Sequence, residues 1–146
     1  MPVEKITPIL NVSSIAESFA WLEHFGWQRT FCWNQGGLIG EGADCPTANE
    51  HGPADFAGMC QGTTTLFLCE GGQGPPLTSA PANGERTGVW MTWWVSSKAE
   101  VDELHEIAIR HGCDVTWPPT DEPWGVREFH LRHPDGHLFR VSCGLD

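Results

Sequence analysis

The hexapeptide Val12-Ser13-Ser14-Ile15-Ala16-Glu17 returns 83 residues later as Val95-Ser96-Ser97-Lys98-Ala99-Glu100, just over half the length of a 146-residue chain. Self-similarity at that spacing predicts two copies of one supersecondary unit. Each copy contains a capping box, Ser14 with Glu17 and Ser97 with Glu100, in which hydroxyl and carboxylate satisfy orphan amides of a first helical turn. Each copy therefore starts a helix. The first places Ile15, Phe19 and Leu22 on one stripe and stops at Gly26, and the second does the same with Val101, Leu104 and Ala108 up to Gly112. Strand-like runs lie before the helices at 6–12 and 89–95 and after them at 27–33 and 113–117. Two further runs follow in each half, at 56–61 and 63–69, then at 125–132 and 137–143. Pro134-Asp135-Gly136 joins the last pair as a tight turn. The pattern predicts an α+β fold of two βαβββ modules.

Stretches 34–54 and 70–88 are rich in glycine and proline and read as long loops, the second joining the halves. A length of 146 residues predicts one domain over 1–146, with module 1 at about 4–70, a linker at about 71–87 and module 2 at about 88–144. A formal charge of −11 argues against nucleic acid as a partner and favours cationic ligands. No apolar run approaches the roughly 18 residues of a membrane span, and Met1 leads into Pro2-Val3-Glu4-Lys5 without a basic-then-apolar leader, so a cytoplasmic location is expected. The six cysteines form no CxxC pair and lie mostly in apolar runs, which predicts reduced, mostly buried thiols.

A duplicated βαβββ unit of this length resembles the vicinal-oxygen-chelate superfamily of glyoxalases, extradiol dioxygenases, fosfomycin-resistance enzymes and bleomycin-resistance proteins. Pro123-Trp124-Gly125-Val126-Arg127-Glu128-Phe129, followed by His133-Pro134-Asp135-Gly136, is similar to the late hairpin of the bleomycin-binding branch. Asp55-Phe56-Ala57-Gly58 is similar to its mid-chain strand, and Pro8 to the proline beside its exchanged N-terminal strand. The resemblance implies an open, curled sheet with helices outside and a cleft, in a homodimer whose strand around 5–12 is exchanged. It also implies metal-ligand positions on the first and last strands of each module, which fall here on Thr7, Phe67, Trp90 and Arg140. None of these side chains is a good ligand for a divalent ion, and their sequence neighbours supply none either. No cofactor and no metal are expected.

His130, His133 and His137 do not read as a metal cluster, because a strand sends the first two to opposite faces and a turn separates the third. Cys32, Cys45, His51 and Cys60 match no common zinc spacing. Eight tryptophans without a single tyrosine suggest that some rings face a ligand. Trp124, between Pro123 and Gly125 at a loop edge, and Phe56, at the start of a strand, are the expected stacking pair, with Trp90 as floor or wall. Asp55, with Glu41, Asp44 and Glu50, offers an anionic rim, and Arg127 completes the ligand-binding set. The expected function is metal-free sequestration of an aromatic, cationic small molecule such as a bleomycin-type antibiotic. The alternatives are a lyase, isomerase or transferase of the same superfamily, either with a metal held by residues other than these or with a metal-free base such as Glu128 or His130, and a binding module for another aromatic metabolite.

Overall fold

In a computed structural model of the chain, residues 2–71 and 89–146 are described. The chain divides into two compact units, Met1–Leu77 and Thr78–Asp146. The first runs β1 (Ile9–Val12), α1 (Ile15–Glu23), β2 (Gln28–Asn34), β3 (Gly37–Glu41), β4 (Ala48–Asn49), β5 (Gly52–Pro53), β6 (Phe56–Gln61) and β7 (Thr64–Glu70). Its main sheet has the order β1-β7-β6-β2-β3, with β1 parallel to β7 and the other pairs antiparallel. The second runs β8 (Met91–Trp94), α2 (Lys98–Arg110), β9 (Asp114–Glu122), β10 (Val126–Arg132) and β11 (Leu138–Gly144), in the sheet order β8-β11-β10-β9 with β8 parallel to β11. Both sheets are mixed and open, and the fold is α+β, two glyoxalase-type βαβββ modules.

The helices begin where the repeated hexapeptide puts them. Ser14 Oγ accepts from Glu17 N at 3.2 Å and Ser97 Oγ from Glu100 N at 3.2 Å. In the second copy Glu100 also accepts from Ser96 N at 2.6 Å, and in the first Glu70 on β7 accepts from Ile15 N at 3.1 Å, tying helix start to sheet. α1 buries Ile15, Phe19 and Leu22 and packs on β2 and β7, where Leu66 and Leu68 point inward. α2 buries Val101 and Ala108 and packs on β9, β10 and β11, over Phe129, Leu131, Phe139 and Val141. Each fully buried side chain of this kind contributes roughly 1.5–3 kcal/mol, so these two layers hold the helices in place.

Three boundaries depart from the sequence reading. Stretch 34–54 is not one loop, because β3 and the β4–β5 hairpin lie inside it. Its glycines serve packing instead: a side chain at Gly36 would meet the His51 ring at 2.4 Å, and one at Gly40 would meet Pro46 Cδ at 3.0 Å. Asn34 Oδ1 accepts from Gly36 N at 2.9 Å and Gly37 takes φ +108°, which turns β2 back into β3. β9 continues past residue 117 through Pro118 and Pro119 to Glu122, which an edge strand allows because its outer amides have no ladder partner to lose. β1 starts at Ile9 and pairs in register with β7 of the same chain, Ile9 opposite Phe67. Of the stretch read as the second loop, residues 72–88 lie outside the described residues.

The six cysteines are thiols, with Cys32, Cys45 and Cys143 buried and the other three partly exposed. Cys32 and Cys45 Sγ atoms lie 3.6 Å apart, and burial first, then Cys45, pushes the Cys32 thiol up to about 12. No helix among the described residues is long and apolar enough to cross a membrane.

Candidate functional site

Alternation along β10 divides its side chains between two environments. Arg127, Phe129 and Leu131 turn toward α2, while Glu128 and His130 turn to the side that no helix among the described residues of this unit covers. Register then assembles the uncovered face. Arg140 on β11 sits opposite His130, Ser142 opposite Glu128, and Trp117 on β9 opposite His130. Glu128, only 1% exposed, accepts on Oε2 from Arg140 Nε at 2.6 Å and from Ser142 Oγ at 3.0 Å, with Arg140 Nη2 2.5 Å from the same oxygen. His130 Nε2 stands 3.6 Å from the other oxygen. Burial alone would raise the Glu128 carboxyl, but the bonds from Arg140 and Ser142 and the neighbouring positive charge outweigh it and hold it below the usual glutamate range.

Aromatic rings surround this ion pair. Trp90 stands edge-on to His130 at 5.4 Å, with the Arg140 guanidinium 5.2 Å from its ring centre. Trp117 lies 6.2 Å from His130, and its Nε1 donates to Glu122 Oε1 at 2.8 Å. Trp90 is 48% exposed and Trp117 is 46% exposed, so two indoles present open surface on either side of His130. Trp94 shares the Trp90 face and is also exposed, while Trp93 points the other way and stacks on Phe139 at 4.5 Å.

The residues expected to bind ligand fall in different surroundings. Trp124 occupies the turn between β9 and β10, is 63% exposed, and has no stacking partner among the described residues. Arg127 lies on the helix side of β10, where Asp102 accepts from its Nε at 2.9 Å and Nη2 at 2.8 Å, and Asp121 from its Nη1 at 2.9 Å. Its place is a clamp between helix and sheet. In the first unit Phe56 joins Phe31 and Phe67, with centroids 5.4 to 6.0 Å apart, over Gly58, where a side chain would meet the Phe31 ring at 2.5 Å. Asp55 lines a separate feature, a cavity of about 410 Å³ bounded also by Asn34, His51, Pro53 and Glu70. Glu41, Asp44 and Glu50 lie on β3 and in the segments around β4, and Glu50 contacts His51 at 3.7 Å. His133 is buried in the β10–β11 turn, accepts from Asp135 N at 3.0 Å and is 5.4 Å from His137. Trp117, Glu122 and Ser142 were not singled out from sequence. Trp117 lay at the end of the strand read at 113–117, and the continuation of β9 is what brings Glu122 back to it.

A family model for the glyoxalase/bleomycin resistance protein/dioxygenase superfamily matches residues 5–141. The chain belongs to that superfamily. Similar superfamily-type folds recur among solved structures. The fosfomycin resistance protein FosX from Listeria monocytogenes is 18% identical over 99% of this chain and 95% of its own, with a TM-score of 0.67. Protein PA1353 from Pseudomonas aeruginosa is 20% identical over 99% and 100%, with a TM-score of 0.67. TioX from Micromonospora sp. ML1 is 22% identical over 97% and 100%, with a TM-score of 0.62. No curated protein matches the sequence.

The metal that metal-dependent members of this superfamily use does not fit the side chains at the positions the resemblance implies. Phe67 sits in an aromatic cluster, Trp90 has no lone pair to give, and Arg140 brings a positive charge already paired with Glu128. Among the described residues no group of three or more His, Cys, Asp or Glu side chains is arranged to hold a metal ion.

Proposed function

We propose that this superfamily member, acting as a homodimer, binds and sequesters a planar aromatic, cationic small molecule such as a bleomycin-type antibiotic, without metal and without turnover. The observation that carries this reading is the uncovered face of the second unit, where Trp90 and Trp117 are about half exposed around a neutralised Glu128–Arg140 pair. Large rings left half exposed side by side on one face suit a flat partner that stacks on them. Each aromatic stack is worth roughly 0.5–1.5 kcal/mol and a desolvated cation over an indole up to about 2. Catalysis by a metal-free base finds less support, because Glu128 is held ionised by Arg140 and Ser142 and is a weak base for that reason. Trp124 serves as the ring at the mouth of the site, on the turn that begins beside Glu122.

Titration with metal-free bleomycin in excess chelator, read by tryptophan fluorescence, tests the reading. Saturable quenching with one ligand per site and recovery of unaltered drug is expected. Trp124→Ala should weaken binding about tenfold with the thermal midpoint nearly unchanged, since a ring 63% exposed contributes little to the core. Absence of quenching, binding that requires added metal, or chemical conversion of the drug would each overturn it.

A further inference from the structure

Glu122 closes β9 with its side chain on the same uncovered face as Trp117 and is only 9% exposed. Among the described residues its one side-chain donor is the indole Nε1 of Trp117 at 2.8 Å, and no lysine, arginine or histidine pairs with it. A carboxylate so nearly buried is costly unless a positive charge compensates it, and a neutral indole N–H does so only in part. Glu128 on the same face is, by contrast, matched by Arg140. The Trp90 ring is likewise occupied, with the Arg140 guanidinium 5.2 Å from its centre, so a second cation there would meet like charge. Among the described residues no cation lies over Trp117; its indole is held in place by Glu122, and it is half exposed.

We propose that Glu122 and the Trp117 ring form the cation-recognising subsite of this face, which selects ligands that carry a permanent or protonated positive charge on or beside an aromatic system. The inference rests on the reading of this face as an aromatic binding surface and adds to it the residue that reads the charge. Carboxylate and indole act on the same group from two directions, one by charge and one through the negative face of the ring. Glu122→Gln removes the charge while leaving an amide oxygen able to accept from Trp117 Nε1.

Two probes with the same ring system separate charge from stacking: N-methylacridinium, a cation, and N-methylacridone, which is neutral. On the wild-type chain the cation should bind at least about tenfold tighter, and its advantage should shrink as salt is raised. In Glu122→Gln the acridinium affinity should fall to within about twofold of the acridone value, with acridone affinity unchanged. Equal affinity of the two probes for wild type, or a parallel loss of both in Glu122→Gln, would overturn the charge-reading role while leaving the aromatic surface standing. Binding of neither probe would bring down both. Should Glu122→Gln fail to fold, the selectivity of the wild-type chain and its dependence on salt decide the matter alone.

Discussion

Replacing Arg140 with Met tests whether the polar centre of the uncovered face is built as an ion pair. Met keeps an unbranched apolar stem of similar length against Trp90 and removes only the guanidinium. In the native chain that group donates Nε to Glu128 Oε2 at 2.6 Å and brings Nη2 to 2.5 Å, around a carboxylate that is 1% exposed. Breaking a fully buried pair by removing one partner costs roughly 3–5 kcal/mol, because the remaining charge is left without compensation. Ser142 still donates at 3.0 Å, and the arginine side chain is about a quarter exposed, so water can enter its place; the expected loss is about 2–4 kcal/mol. Glu128→Gln in the same background removes the stranded charge and should recover at least half of it. The pH dependence should also reverse. In the native chain Glu128 lies below its ordinary value, so it contributes stability above that value and loses it as pH falls through the lowered one. With Arg140 gone, burial dominates, the folded value rises above the ordinary one, and the variant should become more stable as pH falls into that window. Urea unfolding of wild type, both single variants and the double, at pH 7 and pH 5, measures all of this. A cost under about 0.5 kcal/mol for Arg140→Met, or no coupling in the cycle, would refute the account.

Burial, with smaller help from His137, brings His133 down to about 4 from an ordinary 6.5, so the folded chain resists protonation there. The unfolded chain takes up the proton first, and stability should fall by about 3 kcal/mol as pH drops from 6.5 to 4, with all of it present above 6.5. An imidazole resonance of His133 titrating near 6.5 by NMR would contradict this. Gly58→Ala places a methyl 2.5 Å from the Phe31 ring and 2.5 Å from Thr30 Oγ1, and should lower stability by roughly 1–3 kcal/mol in thermal melts; an unchanged midpoint would mean that the Phe31, Phe56 and Phe67 cluster yields freely.

Local chemistry made the two modules readable. The capping boxes at Ser14 and Ser97, the apolar stripes behind them and the Pro134-Asp135-Gly136 turn depend on residues a few positions apart, and each acts as its chemistry dictates. What escaped the sequence depends on partners far along the chain. β3 was hidden because Gly36 and Gly40, which resemble loop residues in isolation, are small to admit His51 and the Cys45-Pro46 segment. The length of β9 was hidden because Pro118 and Pro119 argue against a strand unless it is known to be an edge. Arg127, expected among the ligand residues, is paired with Asp102 and Asp121. Its commitment to Asp102 and Asp121 needs α2 to be docked, which no local pattern states.

The same long-range logic applies to Arg140, at a position where the superfamily resemblance implies a metal ligand. A metal ion in a buried site supplies positive charge that its carboxylate ligands could not otherwise tolerate. In the second unit that positive charge is covalently attached: Arg140 stands on the last strand, where the superfamily resemblance places a ligand, and neutralises Glu128 across one ladder of β10 and β11. The two side chains neutralise each other directly. Among the described residues Glu122 has no cationic partner and sits against a half-exposed indole. In the proposed subsite the charge that compensates Glu122 is the ligand's own.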